Sequence, residues 1–121
     1  MFLSNLMPVR QLYDLFHRQL AVIAAVAEEW RAQKNGRSPH SFECELLAKA
    51  VLGIYESARH ARAVAVHDGQ VEMHEGLPET LLEALRAVKA VCYAAERKGV
   101  GVTRAFELGE ALRRVEKSGL D

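Results

Sequence analysis

Apolar side chains recur at three- and four-residue intervals along most of this chain, the spacing that lines one side of an α-helix. Between Pro8 and Lys34, Val9, Leu12, Phe16, Leu20, Ile23, Ala27 and Trp30 follow at steps of 3, 4, 4, 3, 4 and 3. The pattern predicts one amphipathic helix of about seven turns. Pro8 suits a first turn, where a backbone donor is not needed, and Asn35-Gly36 supplies a left-handed stop. Ser38-Pro39 then provides an N-cap and a first helical residue. Behind it Leu47, Val51, Ile54, Ala58 and Ala61 step by 4, 3, 4 and 3, while Phe42, Leu46, Ala50 and Tyr55 widen the stripe. This second helix is expected to reach Ala61 or a few residues beyond. A connection of about four residues makes the pair an antiparallel hairpin.

Two more helices follow. Leu81, Leu85, Val88, Cys92 and Ala95 carry the stripe of a third, entered at Pro78 with Thr80 and Glu83 in capping-box spacing and left at Arg97-Lys98-Gly99. Ala84, Ala87, Val91 and Ala94 give it a small-residue flank that lets another backbone come close. Thr103 is the candidate cap of a fourth helix, in which Ala105, Leu108, Leu112 and Val115 step by 3, 4 and 3 on the way to Ser118-Gly119. Gly109 inside it marks a candidate close crossing. The expected fold class is therefore mainly α: a four-helix bundle of two antiparallel helical hairpins, with residues 1–121 as a single domain.

The join between the hairpins breaks the pattern. Residues 63–75, AVAVHDGQVEMHE, place apolar side chains at every second position around Asp68-Gly69. An Asp-Gly pair suits a two-residue turn whose central residues need positive φ. In that register Val64, Val66, Val71 and Met73 share one face of a short β-hairpin. The competing reading carries the second helix through Val66 and leaves a loop around Asp68-Gly69. From Ala63 to Leu85 there is no Lys or Arg, only Asp68, Glu72, Glu75, Glu79 and Glu83. The last two answer to the dipole of the third helix. Asp68, Glu72 and Glu75 remain as candidates for protein contact, together with Trp30 beside the acidic pair Glu28-Glu29.

Composition narrows the functions. The chain has 121 residues, half of them apolar and 26% charged, enough to bury a core without disulfides or metal. Sixteen basic residues balance sixteen acidic ones, so no global field gathers nucleic acid or anionic lipid. Cys44 and Cys92 lie among apolar helical neighbours and are expected to be buried free thiols. The apolar run from Leu20 to Ala27 is far shorter than the ~20 residues of a membrane helix. Asp14 and Arg18 stand close before it, so neither a signal peptide nor a membrane span is expected, and the protein is read as cytoplasmic.

Candidate chemistry is sparse. His40 and Cys44, four apart on one helical face, offer two metal ligands, but no second paired motif completes a set. Gly99-Val100-Gly101 before Thr103 follows no strand and lacks the Lys-Ser/Thr pair of a phosphate loop, so it reads as a linker. The chain has no Gly-x-Ser-x-Gly, no His-Glu-x-x-His and no nucleophile with an identifiable base. No catalytic residue, metal or cofactor is assigned, and the chain is read as non-enzymatic.

Two resemblances add alternatives. The stretch VTRAFELGEALRRVEKSGLD ends in LRRVEKSGL, which resembles the tail of the recognition helix of winged-helix regulators of the MarR type, where a basic helix runs into Gly-Leu. The resemblance covers residues 102–121 and implies a DNA-binding transcriptional regulator, with Arg104, Arg113, Arg114 and Lys117 facing the DNA. Arg10 and His17, two turns apart on the first helix, resemble the Arg and His motif of the HEPN ribonucleases, whose pair is placed across a dimer interface. That resemblance implies RNA cleavage by a dimer. The leading reading is a small helical interaction or regulatory protein that works through protein contacts as a homodimer, with nucleic acid as a less favoured partner and no membrane. The long stripes of the first two helices, wider than one small bundle covers, motivate it.

Overall fold

A computed structural model describes residues 9–32, 41–67, 76–97, 99 and 101–121. Four helices account for nearly all of them: α1 (Val9–Ala32), α2 (Ser41–His67), α3 (Leu77–Arg97) and α4 (Ala105–Ser118). They pack as a mainly α four-helix bundle, and no strand occurs among the described residues. Side-chain contacts set the helix directions. Leu12 and Phe16 of α1 line a groove with Ala61 and Val64 of α2, so the first pair is an antiparallel hairpin. Cys44, near the start of α2, meets Cys92 in the second half of α3. Pro78 at the start of α3 lies against Gly119 at the end of α4, and Arg86 reaches Glu116 at 3.0 Å, which makes the second pair antiparallel as well. The chain thus runs up, down, up and down, with α1 parallel to α3 and α2 parallel to α4.

The central element is α3, which contacts all three other helices, and its contact with α1 is the most extensive in the fold. Its stripe of Leu81, Leu85, Val88, Cys92 and Ala95 is buried throughout. Its small flank, Ala84, Ala87 and Val91, is buried too, and Ala24 of α1 lies by Ala87 and Ala90. Small side chains on both helices let the two backbones approach, as the pattern implied. Tyr13, Phe16, Leu20 and Ala27 from α1, Cys44, Leu47, Val51 and Tyr55 from α2, and Ala105, Leu108, Leu112 and Val115 from α4 join it in the core. Each fully buried Leu or Val among them stabilises the fold by about 1.5–3 kcal/mol relative to exposure.

The joints differ from expectation more than the stripes do. Ala63 to His67 form the last turn of α2, so the first arm of the β-hairpin does not exist and the helical reading of that half holds. The physical reason is backbone satisfaction. Each residue added to a continuing helix closes one more backbone hydrogen bond within the element, whereas a lone two-stranded ribbon leaves an edge open. In helical geometry Ala65 turns inward and is buried, while Val64 and Val66 stay exposed. Residues 68–75, including Asp68, Val71 and Met73, lie outside the described residues, as do Pro8 and the stop and cap at 33–40.

Neither expected threonine is a cap. α3 begins at Leu77, and Thr80 sits inside its first turn, with its hydroxyl and its N–H both donating to the Gly76 carbonyl at 3.1 and 3.2 Å. α4 begins behind Arg104, without a side-chain cap, because Thr103 turns to α2 instead. Two of the expected glycine stops are present. Gly99 (φ 90°) closes α3 and Gly119 (φ 64°) closes α4, the latter with its N–H on the Val115 carbonyl. Gly109 marks no close crossing, since a Cβ there would meet only Tyr93 Oη and Arg113 Nη1, both at 3.9 Å.

Candidate protein-contact surface

α2 is tied to the rest of the fold at both ends. At its start the Ser41 hydroxyl donates to the Gly101 carbonyl. One turn on, Glu45 Oε2 accepts from the Thr103 N–H at 2.8 Å and from the Thr103 hydroxyl, with the Arg104 guanidinium 3.6 Å from Oε1. The Thr103 hydroxyl bond, then its N–H bond, with Arg104 adding to them, hold the Glu45 carboxyl below its ordinary range. At the far end Arg62 Nε donates to the Asp121 carboxylate at 3.2 Å. Between these ties Cys44, Leu47, Ala48, Val51, Tyr55, Ala58 and Ala65 form the buried side.

The opposite side of the same helix is where the unusual surface lies. Phe42, Leu46, Lys49, Gly53, Glu56, His60 and Val64 follow at steps of 4, 3, 4, 3, 4 and 4, and all are exposed. At 100° per residue they fall within about 40° of one line along the helix. Phe42 is 69% exposed, Leu46 52% and Val64 45%. Beside the middle of this line stands Phe106 of α4, 72% exposed. Grooves flank the line on both sides. One, of about 610 Å³ between α1 and α2, is lined by Leu12, Phe16, Ala61 and Val64. The other, of about 370 Å³ between α2 and α4, has Leu52, Tyr55 and Phe106 among its walls and charges around it.

The residues singled out from sequence are dispersed. Trp30 is half-buried against the core near the end of α1. Asp68, Glu72 and Glu75 lie outside the described residues. Arg104 is engaged by Glu45, and Arg113 pairs with Glu110. Nine residues at 100° each set those two arginines on opposite sides of the α4 axis. Arg114 and Lys117 are exposed, but Glu107, Glu110 and Glu116 interleave with them, and Glu116 is bound to Arg86. The outer face of α4 is therefore mixed in sign.

His17 points at α3, with Nδ1 2.9 Å from Thr80 Oγ1. The side chain of Arg10, its counterpart in the ribonuclease resemblance, lies outside the described residues. Cys44 and Cys92 are buried and unbridged. Burial chiefly pushes the Cys92 thiol up to about 12 and raises Cys44 in the same direction, so neither is a thiolate nucleophile at neutral pH. His40 is outside the described residues, among which no group of three or more His, Cys, Asp or Glu side chains is placed to hold a metal ion. None of the described helices is long and apolar enough to cross a membrane.

No protein-family model matches the chain, and neither a curated protein nor a solved structure matches it. The surface that sequence reasoning undervalued is Phe42 and Leu46, placed in the wide flank of the α2 stripe but not among the contact candidates. The signal was the width itself. A core-facing helix needs an apolar arc of little more than 100°, and α2 carries large apolar residues on both sides.

Proposed function

We propose that this chain is a non-enzymatic helical interaction protein that acts through protein contacts at the outward face of α2. The observation that carries this reading is the alignment of exposed Phe42, Leu46 and Val64 on a helix whose other side is fully packed. Single exposed apolar side chains are ordinary on any protein. Here Phe42 and Leu46 at one end and Val64 about 27 Å further along, with Lys49, Gly53, Glu56 and His60 between them, share one line beside a groove with apolar walls, and together they make a contact surface. The two ends of α2 are pinned by Glu45 and Arg62, so the row is presented on a fixed scaffold. The α1–α2 groove gives a partner's apolar side chain a place to enter.

A photo-crosslinking amino acid at position 42, with position 29 on the exposed side of α1 as control, tests the reading in the native host. Protein adducts should form at 42 and not at 29. Equal or absent protein adducts at the two positions would refute it. Nucleic-acid adducts, with a salt-sensitive gel shift lost in an Arg113→Ala/Arg114→Ala variant, would move the function to α4.

A further inference from the structure

Resting on that reading, we infer that the partner of the α2 face is a second copy of this chain, paired antiparallel about a two-fold axis at Gly53. The first argument is the glycine. Gly53 lies in the middle of α2, exposed, and a Cβ built on it meets nothing within 4 Å. Among the described residues no contact calls for glycine there, although glycine is the poorest non-proline residue inside a helix. At a helix crossing the missing side chain lets two backbones come together.

The second argument is register. A two-fold axis at Gly53 sets every residue of α2 opposite the one equally far on the other side of it. Phe42 then faces Val64 of the second copy, and Leu46 faces His60. Apolar ends that are left exposed among the described residues cover each other. The axis also keeps like flanks together, so the α1 side of one copy meets the α1 side of the other. Phe42 and Leu46 therefore enter the second copy's α1–α2 groove, whose apolar walls include Leu12 and Ala61.

The third argument is charge. Lys49 and Glu56 both lie on the α4 side of the line, four residues before Gly53 and three after it. In the pairing each Lys49 comes beside Glu56 of the second copy, twice per dimer. Glu56 is within 3.6 Å of Arg59 on its own helix, but its side chain is still 67% exposed and open to a second cation. A parallel pairing would instead set Lys49 against Lys49.

Sedimentation equilibrium of the full chain over a range of concentrations tests the proposal, with circular dichroism to confirm helix content in every variant. The natural chain should be dimeric, and Phe42→Asp should make it monomeric. Lys49→Glu and Glu56→Lys should each weaken the dimer by about tenfold, since two attractions become repulsions. The double variant should recover the natural dissociation constant. A chain that is monomeric at every concentration overturns the proposal, and so does a dimer indifferent to both reversals. Weakening by the single variants without recovery in the double variant overturns the register at Gly53. A monomer that still crosslinks from position 42 to a different protein overturns the dimer while leaving the interaction reading intact.

Discussion

Replacing Gly109 with Ala measures how closely α3 and α4 pack. The residue is buried inside the 14-residue α4, where glycine costs about 0.8–1 kcal/mol relative to alanine through backbone entropy. The added methyl would lie 3.9 Å from Tyr93 Oη and Arg113 Nη1, ordinary contact with the ends of two flexible side chains. No clash opposes the gain, and burying the methyl adds at most about 0.8 kcal/mol, less here because its neighbours are polar. The expected stabilisation is about 1–1.5 kcal/mol. For 121 residues an unfolding entropy of about 2.1 cal/mol/K per residue sums to roughly 0.25 kcal/mol/K, so Tm should rise by about 4–6 °C. Differential scanning calorimetry reads the shift, and a urea titration should show a higher midpoint at unchanged slope. An unchanged or lower Tm with native helix content would refute the reasoning, because the backbones would then be closer than the Tyr93 hydroxyl indicates.

Three other outcomes are expected. Leu85→Ala, at a fully buried position of the central helix, should cost about 2–5 kcal/mol and lower the urea midpoint accordingly; a loss under 1 kcal/mol would mean the site collapses around the gap. Glu45→Gln should lower Tm at neutral pH. The Glu45 carboxyl is held below its ordinary value of 4.5, so its contribution is complete above that pH and fades as pH falls through the lowered native value. The Tm difference between the two proteins should therefore shrink on acidification below 4.5, and a difference that stays constant would sever Glu45 from the Thr103 clamp. A thiol reagent at pH 8 should label neither Cys44 nor Cys92 until denaturant is added; rapid labelling of the native chain would contradict their burial and the raised Cys92 thiol.

The helices and their inward faces were legible because hydrophobic periodicity is a property of neighbouring residues. Leu81, Leu85, Val88 and Cys92 need no tertiary information to be assigned to one side of α3, and all are buried. Ends were harder, because capping chemistry competes with contacts that lie far away in sequence. Thr103 has the right residue type for a cap, yet Glu45, 58 residues earlier, takes both its hydroxyl and its N–H. Residues 63–67 alternate as a strand does, but the pattern was too short to outweigh the continuation of α2. The contact surface was half visible. Phe42 and Leu46 stood in the stripe, and only the positions of α1 and α4 decide which part of a wide stripe the chain itself covers.

The dominance of the α1–α3 contact has a consequence for how the chain acquires its structure. The helices that touch most are not neighbours in sequence, and the bond from His17 to Thr80 spans 63 residues. The α1–α2 hairpin can close early, since few residues separate the two helices, but it then leaves bare the side of α1 that meets α3, where His17 and Ala24 lie. On a ribosome this half would emerge with its apolar side wet until residues 77–97 had followed it out. Folding is thereby made late and cooperative rather than stepwise, and for that interval the nascent hairpin is the form of this protein most exposed to aggregation and to capture by chaperones.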